Sequence, residues 1–356
     1  MTVAIVVYKG LIPVVDRILT KIKACVIHRV GNKLRDEGCI LSENQYDDYD
    51  SIHEFLIEYF FTPFKSEEYY SFYHNIDKSM NEVYMCVNEI FSDPNTILHQ
   101  SIDLSKHLYE QSTHPKVKGG EFYVVYFEDC IVDGISTNAI GLFKSENKDT
   151  YLKIQHKSNG FMIESEKGIS INKLDKGCLI FNREKENGYV VAVVDNTNKG
   201  TEAKYWTDDF LHVRPRKDSF NQTQNILSLC KSFVSQLPAE NGKIEKATYM
   251  NRSVAALKEE VVNVDTFAEQ VFEKPELVSE FKQYKETYQK ERDIEIDDHF
   301  ATASNAIKRK ATGTMTTIKL DKNFDINIHG GEQYIERGYD EERGMYYYQL
   351  FFREEK

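Results

Sequence analysis

The spacing of apolar residues changes character along the chain, and the changes outline its elements. Met1–Tyr8 is a short apolar run that reads as a strand, and Ala24–Val30 is another, ending in the polar loop Gly31-Asn32-Lys33. Ser51–Phe61 has Ile52, Phe55, Leu56 and Tyr59 at helical spacing, and Asn81–Phe91 repeats this with Val83, Val87, Ile90 and Phe91. Asp93-Pro94 then opens a further helix, with Asp93 as N-cap and Pro94 at the first helical position, running to about Gln111. Beyond the turn Lys118-Gly119-Gly120 the pattern becomes extended. Phe122–Phe127, Ala139–Phe143, Tyr151–Ile154, Phe161–Ile163, Cys178–Phe181 and Tyr189–Val194 are dense in aromatic and β-branched residues. Turn signals such as Asn159-Gly160 and Asn187-Gly188 separate them, and connections this short predict an antiparallel meander.

Composition shifts at Thr197-Asn198-Lys199-Gly200, which predicts a boundary between an α+β domain over 1–200 and a helical domain over 201–356. Helical patterns cover Phe220–Leu237, Ile244–Val262, a short stretch capped by Asp265 through Phe272, and Glu276–Arg292. The last carries Leu277, Phe281, Tyr284 and Tyr288 on one face. Alternation returns at Thr316–Leu320 and Phe324–Ile328, and Tyr346–Phe352 closes a hairpin whose turn is Asp340–Gly344. The fold class is α+β: N-terminal helices with an antiparallel sheet, then a helical region ending in a small antiparallel sheet.

Hydrophobic residues make up 41% of the 356, enough for a sizeable core in each half. The formal net charge of -12 argues against a histone-like coat on DNA, though a local basic face would still permit DNA binding. Six cysteines occur with no C-x-x-C spacing and read as buried free thiols in a reducing compartment, not as zinc ligands. No run is long enough to span a bilayer, and the first residues lack the basic flank of an export signal. A cytosolic protein without cofactor or metal is expected.

Enzyme motifs are sparse. There is no G-x-x-x-x-G-K-[ST], G-x-S-x-G or H-E-x-x-H. Asp133, Glu146 and Lys148 have the residue types of a metal-dependent nuclease, at a spacing that chance readily supplies. His28, His107 and His114 lack ligand spacing. The aromatics between Tyr59 and Tyr73 read as core rather than as a base-stacking platform, since few basic residues are interleaved. Candidate phosphate contacts are Arg214, Arg216 and Lys217 in a loop before a helix, and Lys308, Arg309 and Lys310 at the end of another. The helix macrodipole is sufficient reason for the second cluster. Arg29 and Lys33, with Arg35, form a third group around a loop that also reads as a solvated turn.

Several blocks resemble the NdpA/YejK nucleoid-associated family. They are Ile27-His28-Arg29-Val30-Gly31-Asn32-Lys33 with Leu41-Ser42, Gly119-Gly120-Glu121-Phe122, and Gly141-Leu142-Phe143-Lys144. Leu174-Asp175-Lys176-Gly177-Cys178-Leu179-Ile180-Phe181, Ala203-Lys204-Tyr205-Trp206 and Phe324-Asp325-Ile326-Asn327-Ile328 follow in order. The resemblance implies a cytoplasmic protein of the bacterial nucleoid that binds double-stranded DNA with low sequence specificity, beside other nucleoid proteins. It brings no catalytic residue. The acidic balance favours an alternative, an adaptor recruited to the nucleoid by a protein partner. The C-terminal edge strands suggest a homodimer.

Overall fold

A computed structural model describes residues 20–49, 51–66, 68–132, 134–197, 204–238, 243–311, 317–328 and 334–354, with the side chains of 309–311 left out. The expected strand at Met1–Tyr8, residues 198–200 of the expected boundary, Asp133 and the side chains of Arg309 and Lys310 lie outside this description. The chain divides into two compact units, Met1–Arg216 and Lys217–Lys356. The α+β class holds in both.

The first unit contains β1 (Lys21–Val30), β2 (Cys39–Ile40), α1 (His53–Phe61), β3 (Tyr69–Phe72), α2 (Glu82–Ser92) and α3 (Ile97–Gln111). It continues through β4 (Gly120–Val132), β5 (Ile135–Ser145), β6 (Asp149–Lys157), β7 (Gly160–Gly168), β8 (Lys176–Phe181), β9 (Val190–Asp195) and β10 (Val213–Pro215). Eight strands form one antiparallel sheet in the order β10-β3-β9-β8-β5-β4-β1-β2. Both faces are covered, so the central strands are apolar on both sides. On one face Val124, Ile140, Leu142 and Ile180 pack with Val83, Val87 and Ile90 of α2 and Leu104 and Leu108 of α3. Asn81 starts α2 by accepting from the Tyr84 amide at 2.9 Å. On the other face Val125, Phe127, Phe143 and Leu179 meet Ile57, Phe60 and Phe61 of α1.

The sequence misplaces the buried stripe of α1. Phe55, expected inside, is 55% exposed, whereas Phe60 is fully buried and stacks on Phe143 with ring centroids 4.2 Å apart. The helix has more apolar residues than one stripe needs, and the face that meets the sheet's aromatic rings is the one buried. The predicted meander also has an excursion. β6 and β7 leave the sheet as a two-stranded ribbon, joined at Asn159-Gly160 with Gly160 at φ 151°. Leu152, Ile154, Phe161 and Ile163 are 63–75% exposed, and all four lie on one face of the ribbon.

The second unit contains α4 (Ser219–Gln236), α5 (Lys243–Ala256), β11 (Val261–Asn263), α6 (Val264–Phe272), α7 (Pro275–Arg292) and β12 (His299–Ala301). It continues with α8 (Ser304–Ala311), β13 (Thr317–Leu320), β14 (Phe324–Asn327), β15 (Ile335–Asp340) and β16 (Met345–Leu350). Ile226, Leu229, Cys230 and Phe233 of α4 form the core stripe the sequence predicts, against Phe267, Phe272 and Phe281. Two boundaries differ from expectation. The α5 helix stops at Ala256, because Val261–Asn263 pairs with His299–Ala301. The cap of α6 is Asn263, whose side chain accepts from the Thr266 amide at 2.9 Å, rather than Asp265.

Candidate nucleic-acid interface

Of the six cations expected to meet phosphate whose side chains are described, four are held by carboxylates. Arg216 reaches both Glu184 oxygens, at 2.9 and 2.8 Å. Lys217 bridges Glu295 and Asp297, each at 2.9 Å, and these two carboxylates raise its pKa. Arg29 lies 3.5 Å from Glu121, and Lys33 is bonded to Glu110. Arg214 is exposed, its guanidinium 5.3 Å from the Tyr73 ring centroid. Lys308 is exposed on α8, in the other unit from Arg214.

The other candidates resolve into structural roles. Tyr59, Phe60, Phe61, Phe64, Tyr69 and Phe72 are core residues, as expected. His107 bonds the Phe210 carbonyl at 3.0 Å. His28 is 2% exposed; its Nδ1 accepts from the Ser42 amide at 3.0 Å and its Nε2 lies 2.8 Å from Ser101 Oγ. That pairing suits the neutral ring, and burial pushes its pKa down to about 4. Of the three nuclease-type residues, Asp133 lies outside the described residues. Lys148 is bonded to Glu121 at 2.6 Å, and Glu146 is turned inward. Among the described residues no three His, Cys, Asp or Glu side chains gather as a metal site would require, and no helix is long and apolar enough to cross a membrane.

The charge that sequence reasoning missed lies at one end of the first unit's sheet. Antiparallel register brings strand ends together there: Val30 faces Gly120, Glu121 faces Ser145, Lys144 faces Lys176, and Lys176 faces Asp195. Lys144 and Lys176 are both fully buried and directly opposed, a repulsive pairing unless compensated. The compensation is Glu146, 3.1 Å from Lys144 and 3.8 Å from Lys176, and Asp195, 3.0 Å from Lys176. Tyr205 donates to Glu146 at 2.9 Å and presents its ring 5.3 Å from one ammonium and 5.6 Å from the other. Burial lowers the Lys144 pKa against the pull of Glu146, and burial beside Glu146 raises that of Tyr205 well above its usual value. Gly120 is required by the same convergence: a Cβ there would lie 1.9 Å from the Ser145 carbonyl oxygen.

A signal for the buried lysines exists in the sequence. Ile140, Leu142 and Lys144 share one side of β5, as Lys176, Cys178 and Ile180 do in β8, so each lysine continues an apolar register.

The family model for the nucleoid-associated protein YejK matches residues 26–344. The chain belongs to this family. No curated protein matches the chain. The blocks by which the sequence resembles the YejK family are dispersed along the chain, yet several meet at this sheet end. Gly119-Gly120-Glu121, Lys144, Asp175-Lys176 and Tyr205 all contribute to it. A nucleoid-associated role follows from membership of the YejK family.

Proposed function

We propose that the protein acts at the bacterial nucleoid, in the cytoplasm, as a non-catalytic protein that binds duplex DNA directly and with low sequence specificity. Family membership over residues 26–344 carries this reading. The acidic surplus does not oppose it decisively, because phosphate binding depends on local cations. Arg29, Lys33 and Lys217 exchange a surface carboxylate for a phosphate at small cost, since exposed ion pairs contribute at most about 1 kcal/mol. Arg214, Arg216 and Lys308, with Arg309 and Lys310, are the remaining candidates named from the sequence. A gel-shift titration against KCl tests the reading. Direct contact gives a log K that falls with log salt by about 0.9 per phosphate contact. Purified protein that leaves duplex DNA unshifted at low salt would refute it.

A second reading has its own support. The ribbon β6–β7 exposes Leu152, Ile154, Phe161 and Ile163 together, an apolar face suited to a protein partner. On this reading the protein is an adaptor brought to the nucleoid by that partner. Nuclease treatment before a pull-down separates the two: partners retained after DNA is destroyed support the adaptor.

A further inference from the structure

An open cleft of about 970 Å³ in the first unit lies over the charged sheet end. Its wall carries Arg35, Lys65, Lys116, Lys118 and Lys173, all exposed. Two carboxylates also line it, Glu146 and Asp175, and both are occupied by the protein itself. Glu146 takes Lys144 and the Tyr205 hydroxyl. Asp175 accepts from the backbone amides of Glu146 at 2.6 Å and Asn147 at 2.8 Å, and from the Asn147 side chain at 2.7 Å. Even counting Asp175 and the rim carboxylates Glu37 and Asp149, the five cations outnumber the acids beside them, in a chain whose net charge is -12. Concave walls of low dielectric concentrate such a field.

The cleft is also held in shape. Arg35 bonds the carbonyls of Pro115 and Val117 at 2.9 and 3.0 Å, and Lys144 bonds that of Lys118 at 2.9 Å, fixing the segment that bears Lys116 and Lys118. Lys118 reaches Asn147 at 2.7 Å. Asn196 is tied to Leu174 through its side chain at 2.8 Å and to Asp175 through its amide at 2.8 Å. At the rim Lys173 meets Asp149 at 2.9 Å and Arg35 meets Glu37 at 2.7 Å, pairs a polyanion can displace. Thr62 adds a buried hydroxyl on the same wall with no hydrogen-bond partner among the described residues.

From this geometry we infer that the cleft is a sugar-phosphate backbone site, the place where the first unit grips a nucleic-acid strand. The inference rests on the direct-binding reading and gives it a location the sequence did not indicate. The buried Lys144–Glu146–Lys176–Asp195 cluster is the positioning framework beneath it. Phosphate chemistry could also come from a free polyphosphate, and the test separates the two sources.

The experiment measures full-length protein binding a fluorescein-labelled duplex by anisotropy, from 50 to about 300 mM KCl, within the range where phosphate contacts dominate the salt response. The triple variant Lys65→Gln, Lys116→Gln, Lys173→Gln is expected to bind at least about tenfold more weakly. Its log–log salt slope should be shallower by about 2.7, and that of Lys65→Gln alone by about 0.9. Unaltered Trp206 emission verifies the fold of each variant. If wild type binds and the triple variant keeps both slope and affinity, the cleft assignment is overturned while direct binding stands. If wild type binds no duplex, both fall. Calorimetry with inorganic tripolyphosphate supplies the other arm. Stoichiometric binding of tripolyphosphate that duplex cannot displace assigns the cleft to a small anion and overturns the backbone site.

Discussion

Lys176 and Lys217 each meet two carboxylates, yet they belong to different physical regimes. Lys176 is wholly buried, with Asp195 at 3.0 Å and Glu146 at 3.8 Å, and the side chains of those acids are 7% and 3% exposed. Lys217 is half exposed, with Glu295 and Asp297 at 2.9 Å. The shorter contacts are the weaker contributors. Water already solvates Lys217 and its partners, so the pairs gain little. At the sheet end the side chains are buried, so each charge depends on the others. Burial lowers the pKa of neighbouring Lys144, whereas the carboxylates raise that of Lys217. Breaking a buried pair costs more than breaking an exposed one, so the expected ranking follows desolvation rather than distance.

The largest expected effect tests the buried side. Lys176→Met leaves Asp195 and Glu146 partly uncompensated and should cost the first unit about 3–5 kcal/mol. Trp206 is the chain's single tryptophan and is fully buried in that unit, so its emission during urea unfolding reports this unit. Adding Asp195→Leu should restore much of the loss. A double variant no more stable than the single one would show that charge compensation is not the cause.

A somewhat smaller effect concerns pH. The folded-state pKa of His28 is about 4, below the ordinary 6.5, so the unfolded chain takes up the proton first as pH falls. Its contribution is intact above pH 6.5 and is lost toward pH 4, for a total of roughly 3 kcal/mol. The wild-type unfolding free energy minus that of His28→Gln should decline across this window. Parallel pH profiles for the two proteins would reject the assignment.

The smallest effect tests the exposed side. Lys217→Met should leave the urea midpoint of the second unit, followed by far-UV circular dichroism, within experimental error. A clear loss would mean that its ion pairs are more protected than their exposure indicates.

Local signals in the sequence were most reliable where one element answers to one pattern. Asn81–Phe91 and Phe220–Leu237 are nearly coextensive with α2 and α4, since apolar stripe and chain punctuation agree. The α1 face was misread because Phe55, Leu56, Phe60 and Phe61 offer competing stripes, and only the sheet decides between them. The candidate site was less legible. Clustered cations such as Arg214–Lys217 draw attention in a sequence, yet two of those three are held by carboxylates distant along the chain. The cleft cations are scattered from Arg35 to Lys173, and only the register of the strands and their loops assembles them. Lys144 and Lys176 continued an apolar alternation, a sign visible in one dimension, but their shared partner Glu146 was not.

The strand order also sets a schedule for synthesis. β3 lies between β9 and β10, so Tyr69–Phe72 waits for Val213–Pro215 before its outer edge is paired. Its inner partner β9 is itself roughly 120 residues downstream, so at about 5–20 residues per second β3 stands without either neighbour for on the order of five to twenty-five seconds of translation. Once β9 has paired, the outer edge of β3 stays open until Val213–Pro215 follow, and a chain released before Val213 keeps that edge open.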